Sequence, residues 1–149
     1  FFRQAMFAEF ERNVHARVDK GESLTGDDLT KTYCDILKRY HGAAEGVVAI
    51  DDIDCVEWAY IPHFYTGFYV YQYATSIAAS SLFAQRVMAN APGALAKYMT
   101  MLKAGGSYYP YDLVKAAGVD LATPAPYLAL VARMNSIMDQ MEAILAKPK

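Results

Sequence analysis

Apolar residues recur every three or four positions from the start of the chain. Phe2, Met6, Phe7, Phe10 and Val14 take that spacing, with Arg3, Glu9, Arg12 and Arg17 falling largely between them, which predicts an amphipathic helix. Lys20-Gly21 supplies a basic last turn and a terminating glycine. Thr25 with Asp28 three residues later approximates a capping box, and Leu29, Tyr33, Ile36, Leu37 and Tyr40 carry a second helix to His41-Gly42. The pattern is then lost. Val47-Val48-Ala49-Ile50 resembles a short strand, but Asp51, Asp52 and Asp54 favour a loop, so the prediction up to Pro62 is a long ordered connection anchored by Trp58. A third helix is expected to begin near Pro62 or Thr66 and to run to about Asn90, its tail rich in Ala and Ser. Pro92 opens a fourth helix, carrying Leu95, Tyr98, Met99 and Leu102 and ending at Gly105-Gly106-Ser107. A short fifth spans about Pro110 to Ala117, closed by Gly118. Thr123-Pro124 opens the last, with Tyr127, Leu130, Val131, Met134, Ile137, Met138, Met141 and Leu145 on its apolar side. No stretch alternates with a period of two. The predicted fold class is all-α, with six helices and no internal repeat.

Length and composition narrow the function classes. A chain of 149 residues buries one core, as a single domain or as a piece of a larger one. It opens at Phe1 inside a helical pattern, without Met or a cap, which leads us to expect a piece; the face of Phe2, Met6, Phe7 and Phe10 is then expected to lie exposed where the remainder docks. A net charge of −2, from 14 basic and 16 acidic residues, leaves no electrostatic footprint for nucleic acid. No apolar run approaches the roughly 20 residues that cross a bilayer, and Arg3 and Glu9 interrupt any signal-peptide layout. Cys34 and Cys55 are most simply reduced thiols of a cytoplasmic protein, although one bridge between them is compatible with the sequence.

Candidate chemistry concentrates in Ile61–Ala74, which holds His63 and four of the twelve tyrosines. On a helix, Tyr65, Tyr69 and Tyr73 share one face, continued by Ser76 and Ser80, whereas Phe68, Tyr71, Thr75, Ala78 and Leu82 fall opposite. His63 stands at or just before the start. Phenols are neutral donors at pH 7 and suit a developing oxyanion; an imidazole there can donate a hydrogen bond or move a proton. The competing explanation is ordinary packing, since an aromatic stripe at helical spacing is more often core.

Elsewhere the chemistry is incomplete. His15 and His41 lack a second ligand at metal spacing, Asp51, Asp52 and Asp54 do not form an EF-hand loop, and Gly105-Gly106-Ser107 lacks the Lys-Ser/Thr of a phosphate loop. Glu9 and Glu11 are expected on a solvated face with Arg12. There is no H-E-x-x-H and no G-x-S-x-G, and the cysteines show no metal spacing. No metal ligand is assigned, and the chain alone carries no complete active site.

Five blocks occur in order: Phe2-Arg3-Gln4-Ala5-Met6-Phe7-Ala8-Glu9-Phe10-Glu11, Ile61-Pro62-His63-Phe64-Tyr65, Phe68-Tyr69-Val70-Tyr71-Gln72-Tyr73-Ala74-Thr75, Gly105-Gly106-Ser107-Tyr108-Tyr109-Pro110 and Ala117-Gly118-Val119-Asp120-Leu121. Together they closely resemble the C-terminal part of oligoendopeptidase F, a zinc oligopeptidase related to thimet oligopeptidase, over essentially the whole chain. The resemblance implies a cytoplasmic, all-helical hydrolase with a deep substrate channel that admits short peptides and excludes folded proteins. It implies that residues 1–149 are the C-terminal helical segment of the catalytic domain. Zinc is then held upstream, by H-E-x-x-H and a later Glu, so this segment is expected to be inactive alone and to pair with the remainder of its own domain, with neither nucleic acid nor membrane as partner. The resemblance assigns His63 and tyrosines to substrate binding and oxyanion stabilisation. The helical face favours Tyr69 and Tyr73, then Tyr65, with Tyr71 the chief rival. The Gly105-Gly106-Ser107 turn is a further candidate border of the cleft. The alternative is a non-catalytic helical interaction module, in which Met134, Met138 and Met141 receive a partner helix.

Overall fold

The periodic segments all become helices. The computed structural model describes residues 1–146 and contains α1 (Phe2–Val18), α2 (Gly26–Tyr40), two 3-10 segments (Asp54–Tyr60 and Pro62–Tyr65), α3 (Tyr71–Met88), α4 (Ala94–Ala104), α5 (Pro110–Ala116) and α6 (Ala125–Leu145). Among the described residues there is no strand, so the fold is all-α. The chain forms two compact units, Phe1–Ala74 and Thr75–Lys149.

In the first unit α1 packs on α2, and α2 on the first 3-10 segment. Thr25 caps α2 as its sequence predicts. Its hydroxyl accepts the Asp28 N–H at 3.2 Å while the Asp28 carboxylate accepts the Thr25 N–H at 2.9 Å. The core is Met6, Phe7, Phe10, Tyr33, Ile36, Leu37, Ile61 and Val70. This corrects the expected docking face: Met6, Phe7 and Phe10 are fully buried, and of that stripe only Phe2 is exposed. The stripe is covered from within the unit. Phe10 meets Tyr33 edge-on at 5.3 Å, and Phe7 meets Phe64 at 5.4 Å.

The segment that showed no periodicity is tied down by specific bonds. Trp58 donates its indole N–H to Thr30 at 3.1 Å, and Glu57 accepts from both Arg3 and the Tyr33 hydroxyl. Burial pushes the Glu57 carboxyl up, but the hydrogen bonds from Arg3 and Tyr33 more than offset it and hold the group below the usual carboxylate range. The expectation of reduced thiols does not hold, because Cys34 of α2 and Cys55 are joined as a disulfide. Packing of the first 3-10 segment on α2 brings their Cα atoms to 4.6 Å, within the range that a bridge requires.

The third helix starts later than predicted. Pro62–Tyr65 forms its own 3-10 turn and Phe68 adopts φ +55°, a conformation through which an α-helix cannot pass. In the second unit Ala79, Leu82, Phe83, Ala117 and Val119 form the core, with Tyr98 and Met101 against it. Gly118 takes φ +102°, and Val119 N–H returns to the Val114 carbonyl at 3.1 Å, which closes α5 as a C-terminal glycine does. On α6 only Pro126 and Leu130 are buried; Val131, Ile137, Met138, Met141 and Leu145 are exposed. No described helix is long and apolar enough to cross a membrane.

Candidate functional site

Four predicted site residues, His63, Tyr65, Tyr69 and Tyr73, lie in the first unit, and the structure brings three of them together. His63 projects from the 3-10 turn that Pro62 begins, a position suited to a residue with fixed φ. Tyr69 lies in the short link that follows, and Tyr73 on the first turn of α3. The His63 and Tyr69 rings stack with centroids 5.7 Å apart, Tyr73 meets His63 edge-on at 6.1 Å, and Tyr69 meets Tyr73 edge-on at 5.5 Å. The Tyr73 hydroxyl donates to the Tyr69 hydroxyl at 3.3 Å. All three side chains reach solvent. The cluster is therefore not part of the core of this unit.

The predicted ladder on one helical face needs correction. Because α3 begins at Tyr71, Tyr65 and Tyr69 do not belong to it, and Tyr65, in the 3-10 turn, is 84 % exposed and outside the ring cluster. Tyr71, placed on the apolar side by the helical reading, is exposed too. Ser80 spends its hydroxyl on the Ile77 carbonyl at 2.9 Å. What survives is the Tyr69–Tyr73 pair, assembled by a turn rather than by helical stacking.

An open cavity of about 270 Å³ is lined by Pro62, His63, Thr66 and Tyr69. A larger apolar cleft of about 450 Å³ lies in the second unit, walled by Met101, Ala104, Tyr108, Leu113 and Ala116 with Lys97 at its edge. It contains no imidazole and no paired phenols. The smaller cavity is therefore the candidate on chemical grounds. There, the bond to Tyr69 and then partial burial raise the Tyr73 pKa above its usual value, so Tyr73 keeps its proton at neutral pH. With the Tyr73 hydroxyl donating to it, the Tyr69 hydroxyl oxygen is an acceptor at the cavity wall.

Sequence reasoning missed Glu11. Expected on a solvated face, its side chain is buried and accepts the Phe68 N–H at 2.6 Å. The signal was present in the spacing: Glu11 follows Phe7 by four residues and precedes Val14 by three, which puts a carboxylate on the apolar face. Glu9 instead pairs with Arg39 at 2.5 Å and Tyr40 at 3.1 Å. His15 packs on the Phe68 ring, centroids 4.5 Å apart. His41 lies at the end of α2, its Nδ1 3.0 Å from the Leu37 carbonyl. Asp54 accepts the Asp51 N–H at 3.0 Å. Among the described residues no group of three or more His, Cys, Asp or Glu side chains is arranged to hold a metal ion.

Comparison with known proteins gives consistent results. The family model described as peptidase family M3 matches residues 1–133. The chain is 43 % identical over 148 residues to oligopeptidase PepF of Bacillus subtilis (strain 168), covering 99 % of this chain and 22 % of that protein. It is 44 % identical over 125 residues to an oligoendopeptidase F homolog of Borreliella burgdorferi, covering 84 % and 21 %. Its fold matches the crystal structure of oligoendopeptidase-F from Enterococcus faecium with a TM-score of 0.90 at 36 % identity, covering 97 % of this chain and 27 % of that one. The chain thus spans about a quarter of the length of the proteins it matches.

Proposed function

This chain belongs to peptidase family M3, and from that premise we propose that it forms one wall of a peptidase active site, binding short peptides and stabilising the oxyanion formed when their amide bond is attacked. The observation that carries this reading is the Tyr73–Tyr69 hydroxyl bond beside His63 at an open cavity. As the scissile carbonyl becomes tetrahedral, negative charge gathers on its oxygen. Tyr69 donates its proton toward that oxygen, and the bond from Tyr73 makes it a better donor. His63 supplies a second donor at the cavity wall, and Thr66 borders the space that the peptide backbone occupies. Tyr65, exposed on the same turn, belongs with substrate binding rather than with the donor chain.

We place the zinc of the parent enzyme, as the family resemblance implies, on residues outside this sequence, and no step here runs through it; among the described residues no group of three or more His, Cys, Asp or Glu side chains is arranged to hold a metal ion. The rest of the catalytic domain is the proposed partner. The exposed apolar face of α6, including Ile137, Met138 and Met141, is its docking surface; nearly three quarters of the Enterococcus faecium chain lies beyond the part this sequence matches. The same methionines suit a second reading, a non-catalytic helical interaction module. Kinetics separates the two. In the full-length peptidase carrying this sequence, Tyr69→Phe should lower kcat by about 10²–10³, the usual cost of one oxyanion donor, with KM and metal content little changed. An undiminished kcat would refute the donor role. The 149-residue chain alone should cleave nothing.

A further inference from the structure

Three features of the first unit are not accounted for by the donor chain itself: a buried carboxylate at Glu11, a positive φ at the non-glycine residue Phe68, and a histidine packed at a tilt against the Phe68 ring. They are one device. Glu11 and His15 are four residues apart on α1 and therefore project from the same face one turn apart. Glu11 accepts the Phe68 backbone N–H at 2.6 Å, and His15 packs against the Phe68 ring at 4.5 Å. Phe68 is thus gripped at its backbone and at its side chain by adjacent turns of one helix.

Each feature is costly alone. A carboxylate 4 % exposed is destabilising unless hydrogen-bonded. A non-glycine residue at φ +55° carries about 1–2 kcal/mol of steric strain. Such strain persists only where surrounding structure over-determines it, and it collects at functional positions. What the grip achieves is visible one residue later. Tyr69 is held between the clamped Phe68 and Val70, which is 1 % exposed in the core. With both neighbours fixed, the Tyr69 backbone is held where its ring stacks on His63 and meets Tyr73.

We propose that Glu11 is a positioning residue, whose carboxylate holds Phe68 in its left-handed conformation and thereby aims Tyr69 at His63 and the substrate oxygen. The inference rests on the reading of Tyr69 as the oxyanion donor but is tested separately from it. In the 149-residue chain, the ring protons of His63 feel the ring current of the stacked Tyr69. Glu11→Gln keeps an acceptor oxygen and should leave the His63 NMR signals in place, whereas Glu11→Leu should shift them toward free-histidine values. In the full-length peptidase, Glu11→Leu should lower kcat by about 10²-fold with KM nearly unchanged, the effect of a misaimed group, and Glu11→Gln should restore most of it. His63 signals unmoved in Glu11→Leu, or lost equally in both variants, would overturn the clamp. If Tyr69→Phe proves kinetically silent while Glu11→Leu still moves the His63 signals, the donor role fails and the clamp stands. Should Glu11→Leu not fold, the wild-type Phe68 amide decides. Hydrogen exchange about tenfold or more slower than at exposed Gly67 supports the bond, and equal rates overturn it.

Discussion

The Arg3–Glu57–Tyr33 cluster makes a pH-dependent prediction that can be worked from the structure. Tyr33 is fully buried, and its hydroxyl donates to Glu57 Oε2. Tyr33→Phe keeps the ring, and with it the contacts to Phe7 and Phe10, and removes only this bond. A hydrogen bond to a charged group contributes about 1.5–3 kcal/mol. Glu57 keeps Arg3 as a partner, so the carboxylate is not orphaned and the lower end, about 1.5–2 kcal/mol, applies. The Arg3 side chain is 53 % exposed, so its own ion pair adds no more than about 1 kcal/mol. Because the folded Glu57 pKa is depressed, its stabilisation is fully present above the unfolded value of about 4.3 and is lost as pH falls through the lower folded value. The cost of Tyr33→Phe should therefore be full at pH 7 and much smaller near pH 2.5. Urea unfolding followed by fluorescence of Trp58, the single tryptophan, reports on this unit, since its indole is bonded to Thr30. With an m-value of about 1 kcal/mol/M, the midpoint at pH 7 should fall by about 1.5–2 M. A cost of the same size at both pH values would show that the lost stability comes from packing and not from the bond to Glu57.

Two further outcomes concern α2 and its attachments. Thr25→Ala removes the acceptor for Asp28 N–H and should destabilise the first unit by about 1 kcal/mol, read as a lower melting temperature; Thr25→Ser should recover most of it, and an unshifted melt for Thr25→Ala would discount the cap. The Cys34–Cys55 bridge spans 21 residues, and loop closure of that length contributes about 3 kcal/mol. A reductant, or Cys34→Ser with Cys55→Ser, should therefore lower the Trp58-monitored urea midpoint, and identical midpoints with and without reductant would count against the bridge.

Local rules made the helices legible because each helix carries its own instructions. Thr25 and Asp28 cap α2 within four residues, Pro110 and Gly118 bracket α5, and the apolar spacing of Phe7, Phe10 and Val14 needs no knowledge of the rest of the chain. The region from Asp51 to Val70 was less legible because its order comes from a distance. Trp58 depends on Thr30, Glu57 on Arg3 and Tyr33, and Cys55 on Cys34, each pair more than twenty residues apart. No period encodes such bonds. The docking face failed for a related reason. An apolar stripe at Met6, Phe7 and Phe10 shows that something covers it, but not that the cover is α2 and Phe64 of the same unit. At the candidate site, the helical spacing of Tyr69 and Tyr73 predicts neighbours, and they are neighbours for a different reason. They are neighbours because a turn delivers Tyr69 to the first turn of α3, not because both lie on one helix.

That difference explains why Tyr65 separates from the pair. On a continuous helix, residues 65, 69 and 73 would be equivalent rungs, and the phenols would form a row with no preferred end. The break at Phe68 removes the equivalence. Tyr65 stays with the 3-10 turn and faces solvent, and Tyr69 is turned back onto His63. Tyr73 becomes the donor behind it. A row of like groups is thereby replaced by a bonded pair, Tyr73 to Tyr69, with Tyr69 lining the cavity. Under the proposed clamp the break is held by Glu11, a carboxylate that sits on a buried face where an aliphatic residue would pack more simply. Where local rules and the observed fold disagree, natural sequences tend to be meeting a functional demand. On the proposed clamp, the three disagreements, a buried carboxylate, a positive φ at a phenylalanine and a helix that starts late, converge on the placement of Tyr69.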